Sequence, residues 1–197
     1  MSRLDWLHDL LEGVRLPDRI DLSDCHNVMN DLWERSVRDM MRGKVTEHGG
    51  TLVLDRNGKL TITHLVEGRS CEVNLDLRVG EGETFVGVFH THPHVGGLTG
   101  IAFSGLDMVL AINHRCPVFL VQSGRDIFAL VRTEKTVPGV ERFELVEELE
   151  AIYQTGVQDR MSRQEALLVA NLDLCAKYGL AFYWGRVPGE LKGVYRP

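Results

Sequence analysis

Apolar positions recur with a helical period at both ends of the chain and with a strand period between them. Leu4, Leu7, Leu10, Leu11 and Val14 share one stripe and predict a short N-terminal helix, broken at Pro17. From Ser23, which has the character of an N-cap, a second stripe runs through Val28, Met29, Leu32, Trp33, Val37, Met40 and Met41 and ends at Gly43. The period then shortens. "GGTLVLDRNGKLTITHLVEG" reads as two strands joined at Asn57-Gly58, a pair that suits the positive φ of a tight hairpin. "SCEVNLDLRV" and "TFVGVFHTH" predict two more strands, the second stopping at Pro93, which has no N–H to give to a ladder. A helix is predicted from Ser104 in "SGLDMVLAINHR", then a hairpin in "PVFLVQSGRDIFALVRT" that turns at Ser123-Gly124. Two helices follow, "VERFELVEELEAIYQTG" and "SRQEALLVANLDLCAKYG", the latter headed by the capping box Ser162-x-x-Glu165. The chain closes on a short strand and a tail.

These elements predict an α/β (α+β) fold, a mixed β-sheet flanked by helices. They divide the chain into an N-terminal helical extension over 1–22, a core over 23–137, and a helical C-terminal extension over 138–197 packed on that core. The boundary lies near Pro138-Gly139. Leu145, Val146, Leu149 and Ile152, with Leu167, Leu168, Leu172 and Cys175, suit a layer covering the sheet; a partner-docking surface is the alternative.

Composition narrows the class. At 197 residues, 44% hydrophobic and 25% charged, the chain can bury a core without disulfides. A net charge of −6 and the lack of any Lys/Arg run argue against nucleic acid as its partner. Cys25, Cys71, Cys116 and Cys175 form no C-x-x-C pair, which excludes a zinc ribbon and suits reduced thiols in the cytoplasm. The amphipathic N-terminus carries Asp5, Asp9 and Glu12, unlike a signal peptide, and no apolar run is long enough to predict a membrane span.

The candidate chemistry sits in "GVFHTHPHVGGLTGIAFSGLD", residues 87–107. Residues two apart on a strand point to one face, so His90 and His92 can present both imidazoles to one point, as zinc ligands do. An isolated H-x-H is more often a solvent-facing pair. Ser104 and Asp107 have the spacing of a capping box with Asp in the place of Glu, which is a structural role in itself. A carboxylate in the first helical turn also points back towards whatever lies at the helix start. If the end of the His90 strand lies there, Asp107 becomes a third ligand and a fourth position stays open for water, as in catalytic zinc sites.

Taken together, His90-Thr91-His92-Pro93 followed by Ser104-x-x-Asp107 resembles the JAMM motif of the JAB/MPN metalloprotease family, over roughly residues 23–134. That family carries a glutamate upstream, after a helix and before a strand, and "RGKVTEHGGTLVL" supplies Glu47 in that setting. Glu67, Glu72, Glu81 and Glu83 are the competing candidates; "EGE" at 81–83 has the look of a solvated turn. His48 and His94 are expected to be exposed or to support the ligands. Ten residues, His94 to Phe103, separate Pro93 from Ser104, three more than in the family's usual pattern, which makes Ser104 the position most exposed to the departure.

The resemblance implies a JAB/MPN-like, cytidine-deaminase-like core holding one catalytic Zn2+ on His90, His92 and Asp107. It implies Glu47 as the general base that activates water, and Ser104 as a donor to the oxyanion. It also implies the activity: cleavage, as a peptidase or isopeptidase, after the C-terminal tail of a ubiquitin-like protein. The setting the resemblance implies is a bacterial ubiquitin-like conjugation system, antiphage ones included, with ubiquitin-activating-like or conjugating-like enzymes as further expected partners. The alternatives are processing of a sulfur-carrier protein and a non-catalytic MPN scaffold. Metallo-β-lactamase-like and amidohydrolase-like sites also open on H-x-H, but the former expects a different run after His92 and the latter a barrel longer than this chain.

Overall fold

Alternation along the central strands sets the layering. The computed structural model describes residues 5–13, 15–68, 78–94, 100–114 and 116–197. Its strands are β1 (Arg19–Asp21), β2 (His48–Leu54), β3 (Leu60–Glu67), β4 (Thr84–Thr91), β5 (Val118–Ser123), β6 (Asp126–Arg132), β7 (Leu180–Arg186) and β8 (Glu190–Tyr195). Its helices are α1 (Asp5–Leu11), α2 (His26–Met41), α3 (Gly105–Asn113), α4 (Arg142–Gln158) and α5 (Arg163–Tyr178). The strands form one sheet in the order β1-β8-β7-β6-β5-β4-β2-β3. Neighbours run antiparallel except β4 and β5, a parallel pair whose crossover carries α3.

Odd and even residues of the central strands enter different cores. Val118, Leu120, Ile127, Ala129, Ala181 and Tyr183 pack with Trp6 and Leu7 of α1 and Met29 and Leu32 of α2. Phe119, Val121, Phe128, Leu130 and Phe182 pack with α3, with Leu145 and Leu149 of α4, and with Leu174 and Cys175 of α5. Both sheet faces are therefore covered, which is why these strands read as continuous apolar runs. The mixed sheet flanked by helices agrees with the predicted fold class. Among the described residues, no helix is long and apolar enough to cross a membrane.

Several local expectations change. The predicted strand over 70–79 lies outside the described residues except for Arg78 and Val79, as do Leu4, Val14, Cys71 and Glu72. Ser23 does not cap α2. It opens a 3-10 turn, Ser23–Cys25, because Asp21 Oδ1 accepts from both its N–H and its hydroxyl. Met41, at the end of the predicted stripe, is 84% exposed, and the buried residues of α2 end at Ser36. The expected tail is β8, paired with β7 on one side and with β1 on the other. The sheet thus continues across Pro138-Gly139: strands from residues 19–21 and 180–195 extend the one that holds β2 to β6.

Candidate metal centre

Strand register brings the first three groups together. Gly49 on β2 faces His90 on β4, so carrying the antiparallel register two residues on sets Glu47 opposite His92. His92 Nε2 lies 3.9 Å from Glu47 Oε1. His90 and His92 share the face that looks to α3, and their Nε2 atoms are 2.9 Å apart. Thr91 between them points the other way, to α2. There its hydroxyl meets Ser36 Oγ at 2.7 Å and accepts from the His48 N–H at 2.9 Å, tying the residue after Glu47 to the strand that carries the histidines. His48 Nε2 turns to Asp39 at 2.9 Å and supports this corner rather than facing the centre.

The start of α3 supplies the fourth group. Ser104 caps the helix: Asp107 N–H donates to Ser104 Oγ at 3.2 Å, and Ser104 N–H donates to Asp107 Oδ2 at 2.8 Å. Asp107 Oδ1 also lies 3.2 Å from His90 Nε2, and its Oδ2 lies 3.3 Å from His92 Nε2. Cap and site are therefore the same carboxylate. Ser104 is solvent-exposed, and its hydroxyl donates to Asp107 Oδ2 at 2.6 Å. Glu47, His90, His92 and Asp107 are all buried, at 8%, 2%, 8% and 7% exposure.

The donor set fits a divalent metal. One ligand atom from each of Glu47, His90 and His92 lies within 4.8 Å of the others, so this group could hold a metal ion. In a tetrahedral zinc site with bonds of about 2.0–2.1 Å, ligand atoms sit about 3.3 Å apart. The His–Asp107 separations match that edge, the His–His separation is shorter, and the Glu47 separation exceeds it. His92 Nδ1 pairs with the Ala102 carbonyl at 2.9 Å, so it carries a hydrogen and leaves Nε2 to face the carboxylates, where it can hold a proton or, with that proton displaced, a metal. His90 Nδ1 is buried without a hydrogen-bond partner, in edge contact with Phe119.

Two buried carboxylates facing two imidazoles create a strong demand for positive charge. Burial alone would lower the His92 pKa, but the Asp107 and Glu47 carboxylates outweigh it and raise it to about 9. Burial would raise Asp107, and the two imidazoles instead hold it well below the ordinary carboxylate range. A divalent cation meets the same demand without protons.

The competing residues stand elsewhere. Glu67 is exposed on β3, and Glu83 folds back to accept from Gly80 N–H in the turn expected there. His94 Nδ1 bonds Ser123 Oγ at 2.8 Å. The loop before Ser104 is held at its far end. Gly100 N–H donates to Asp126 Oδ2, Ile101 N–H to Ser123 Oγ, and Phe103 N–H to Asn171 Oδ1. Gly96 and Gly97 lie outside the described residues. The sequence reading missed Thr91, Ser36, Asp126 and Asn171 as supports. Asn171 left a signal: it occupies an apolar position of α5, three residues after Leu168 and four before Cys175. Set against known proteins, the chain matches no family model and no curated protein.

Proposed function

We propose that the protein is a zinc-dependent peptidase or isopeptidase of the JAMM type, cutting after the C-terminal tail of a ubiquitin-like protein. It acts in the cytoplasm, within a bacterial ubiquitin-like conjugation system, beside its activating-like or conjugating-like enzymes. One observation carries the reading. Glu47, His90, His92 and Asp107 converge on one buried point from three chain segments, in the order in which the JAMM motif presents them.

His90 and His92 would hold the zinc through Nε2, and Asp107 through a carboxylate oxygen. Zinc, when bound, supplies a Lewis acid that polarises the scissile carbonyl and makes water acidic enough to ionise near neutral pH. Glu47 Oε1 lies 3.9 Å from His92 Nε2, farther than the Asp107 oxygens lie from the histidines, which suits a base beside the zinc better than a ligand. Its carboxylate takes a proton from the attacking water and delivers it to the leaving nitrogen. Ala102 holds His92 in the Nδ1–H form that leaves Nε2 free. Ser104, exposed at the start of α3, turns its hydroxyl from Asp107 towards the substrate oxygen as charge builds there.

The test uses the ubiquitin-like protein encoded nearest the gene, extended or conjugated at its C-terminus, with and without a zinc chelator. Cleavage is expected, and chelation should abolish it. Glu47→Gln should keep stoichiometric zinc and lose roughly 10²–10⁴-fold in rate, the usual worth of a positioned general base. His92→Ala should lose both zinc and cleavage. Normal hydrolysis by Glu47→Gln, or cleavage that survives the chelator, would overturn the proposal.

A further inference from the structure

One buried amide stands behind both the histidine and the aspartate of the metal centre. Asn171 is fully buried on α5, far along the chain from the motif. Its Oδ1 accepts from Phe103 N–H at 2.8 Å, and its Nδ2 donates to the Phe103 carbonyl at 2.9 Å. These two contacts fall on consecutive peptide groups. The first group consists of the Ala102 carbonyl and the Phe103 N–H; that carbonyl accepts from His92 Nδ1 at 2.9 Å. The second consists of the Phe103 carbonyl and the Ser104 N–H; that N–H donates to Asp107 Oδ2 at 2.8 Å. In a planar trans peptide the N–H and C=O point in opposite directions, so each group passes the chain of bonds straight through.

We propose that Asn171 is a positioning residue for the metal centre: its carboxamide grips the two peptide groups that hold His92 and Asp107, and so aims both ligands at one point. The proposal rests on the metal-site reading above. The bonds run from His92 Nδ1–H to Ala102 O, from Phe103 N–H to Asn171 Oδ1, from Asn171 Nδ2–H to Phe103 O, and from Ser104 N–H to Asp107 Oδ2. Donor follows acceptor in the same order at every link, so each bond polarises and strengthens the next. An apolar residue of similar size would leave the Phe103 N–H and C=O buried without partners. The long loop between Pro93 and Ser104 explains the need. Its last residues carry the carbonyl that fixes His92, and they require an anchor from outside the motif.

The test compares Asn171→Leu with Leu174→Ala, a variant one turn along α5 in the same core cluster as Phe103, whose apolar side chain gives neither peptide group a hydrogen bond. Zinc alone is the probe, titrated against a chromophoric chelator. Asn171→Leu should weaken zinc binding by roughly 10–100-fold, the usual loss when a supporting hydrogen bond to a ligand is removed. Leu174→Ala should melt earlier yet bind zinc as the wild type does. In the zinc-loaded protein, the 15N-histidine spectrum of Asn171→Leu should shift the Nδ1–H signal of His92. Equal zinc loss in both variants, or unchanged zinc binding in Asn171→Leu, would overturn the assignment. Amide exchange of the wild type supplies a readout that needs neither a variant nor a metal. The Phe103 and Ser104 amides should exchange about 100-fold or more slowly than in an open chain. Exposed-loop rates there would sink the positioning role. Protected amides in a protein that takes up no zinc would instead remove the zinc peptidase reading and leave the bond chain standing.

Discussion

At the scale of single residues, charge decides the behaviour of the centre. His92 is held at about 9, above its ordinary 6.5, because the Asp107 and Glu47 carboxylates outweigh burial. A group whose folded pKa is raised stabilises the fold fully below its unfolded value and loses that contribution as pH rises through the folded one. The chelator-treated protein should therefore lose thermal stability between pH 6.5 and 9. Asp107, held well below 3.8, contributes above that value and gives way only in strong acid. Melting curves of metal-free protein across this range check the sign. A midpoint that climbs from pH 6.5 to 9 would contradict the assigned fields. Zinc binding displaces the same proton, so affinity should rise with pH over that window.

Among elements, two capping boxes offer a matched comparison. Ser162 caps α5 through Glu165 and faces no site, whereas Ser104 caps α3 through Asp107, which also meets both histidines. Ser162→Ala should cost about 1 kcal/mol of stability, the usual worth of a cap, and leave cleavage untouched. Ser104→Ala should cost a similar amount and in addition slow cleavage, as read by parallel melts and rate assays. The β4–β5 pair is the second element-scale constraint. A Cβ on Gly87 would lie 1.9 Å from the Val118 carbonyl oxygen, so Gly87 permits the parallel pairing that sets His90 beside the crossover. Gly87→Ala should destabilise by about 3 kcal/mol or more through overpacking that backbone cannot relieve. Denaturant melts measure it.

Across the whole molecule, the C-terminal segment both completes the sheet and steadies the site. β7 pairs along the full length of β6, and Asp126 on β6 joins Trp184 and Arg186 on β7 to the Gly100 N–H. α5 adds Asn171 behind Phe103. A chain ending at Pro138 would expose the β6 edge and the faces of Phe128 and Leu130 that α5 and β7 cover. Such a chain is expected to aggregate rather than fold as a monomer. A monodisperse, cooperatively melting product in gel filtration and circular dichroism would refute this.

The mixed sheet flanked by helices, and the elements that carry His90, His92 and Asp107, were legible in the sequence because local rules govern them. Period-two alternation predicts β4 with His90 and His92 on one face, and the cap spacing predicts α3 with Asp107 in its first turn. Asn57-Gly58 and Ser123-Gly124 likewise announced hairpins that formed where expected. Distance in the chain hid the rest. Nothing local says that Glu47 falls opposite His92, because that depends on the register between β2 and β4. Nothing local pairs β1 with β8, or sends Thr91 to Ser36 and Asn171 to Phe103. Local sequence thus chose the elements and the chemical groups. Strand register and the burial of polar groups, which need partners from remote segments, determined which of those groups meet and how they are held.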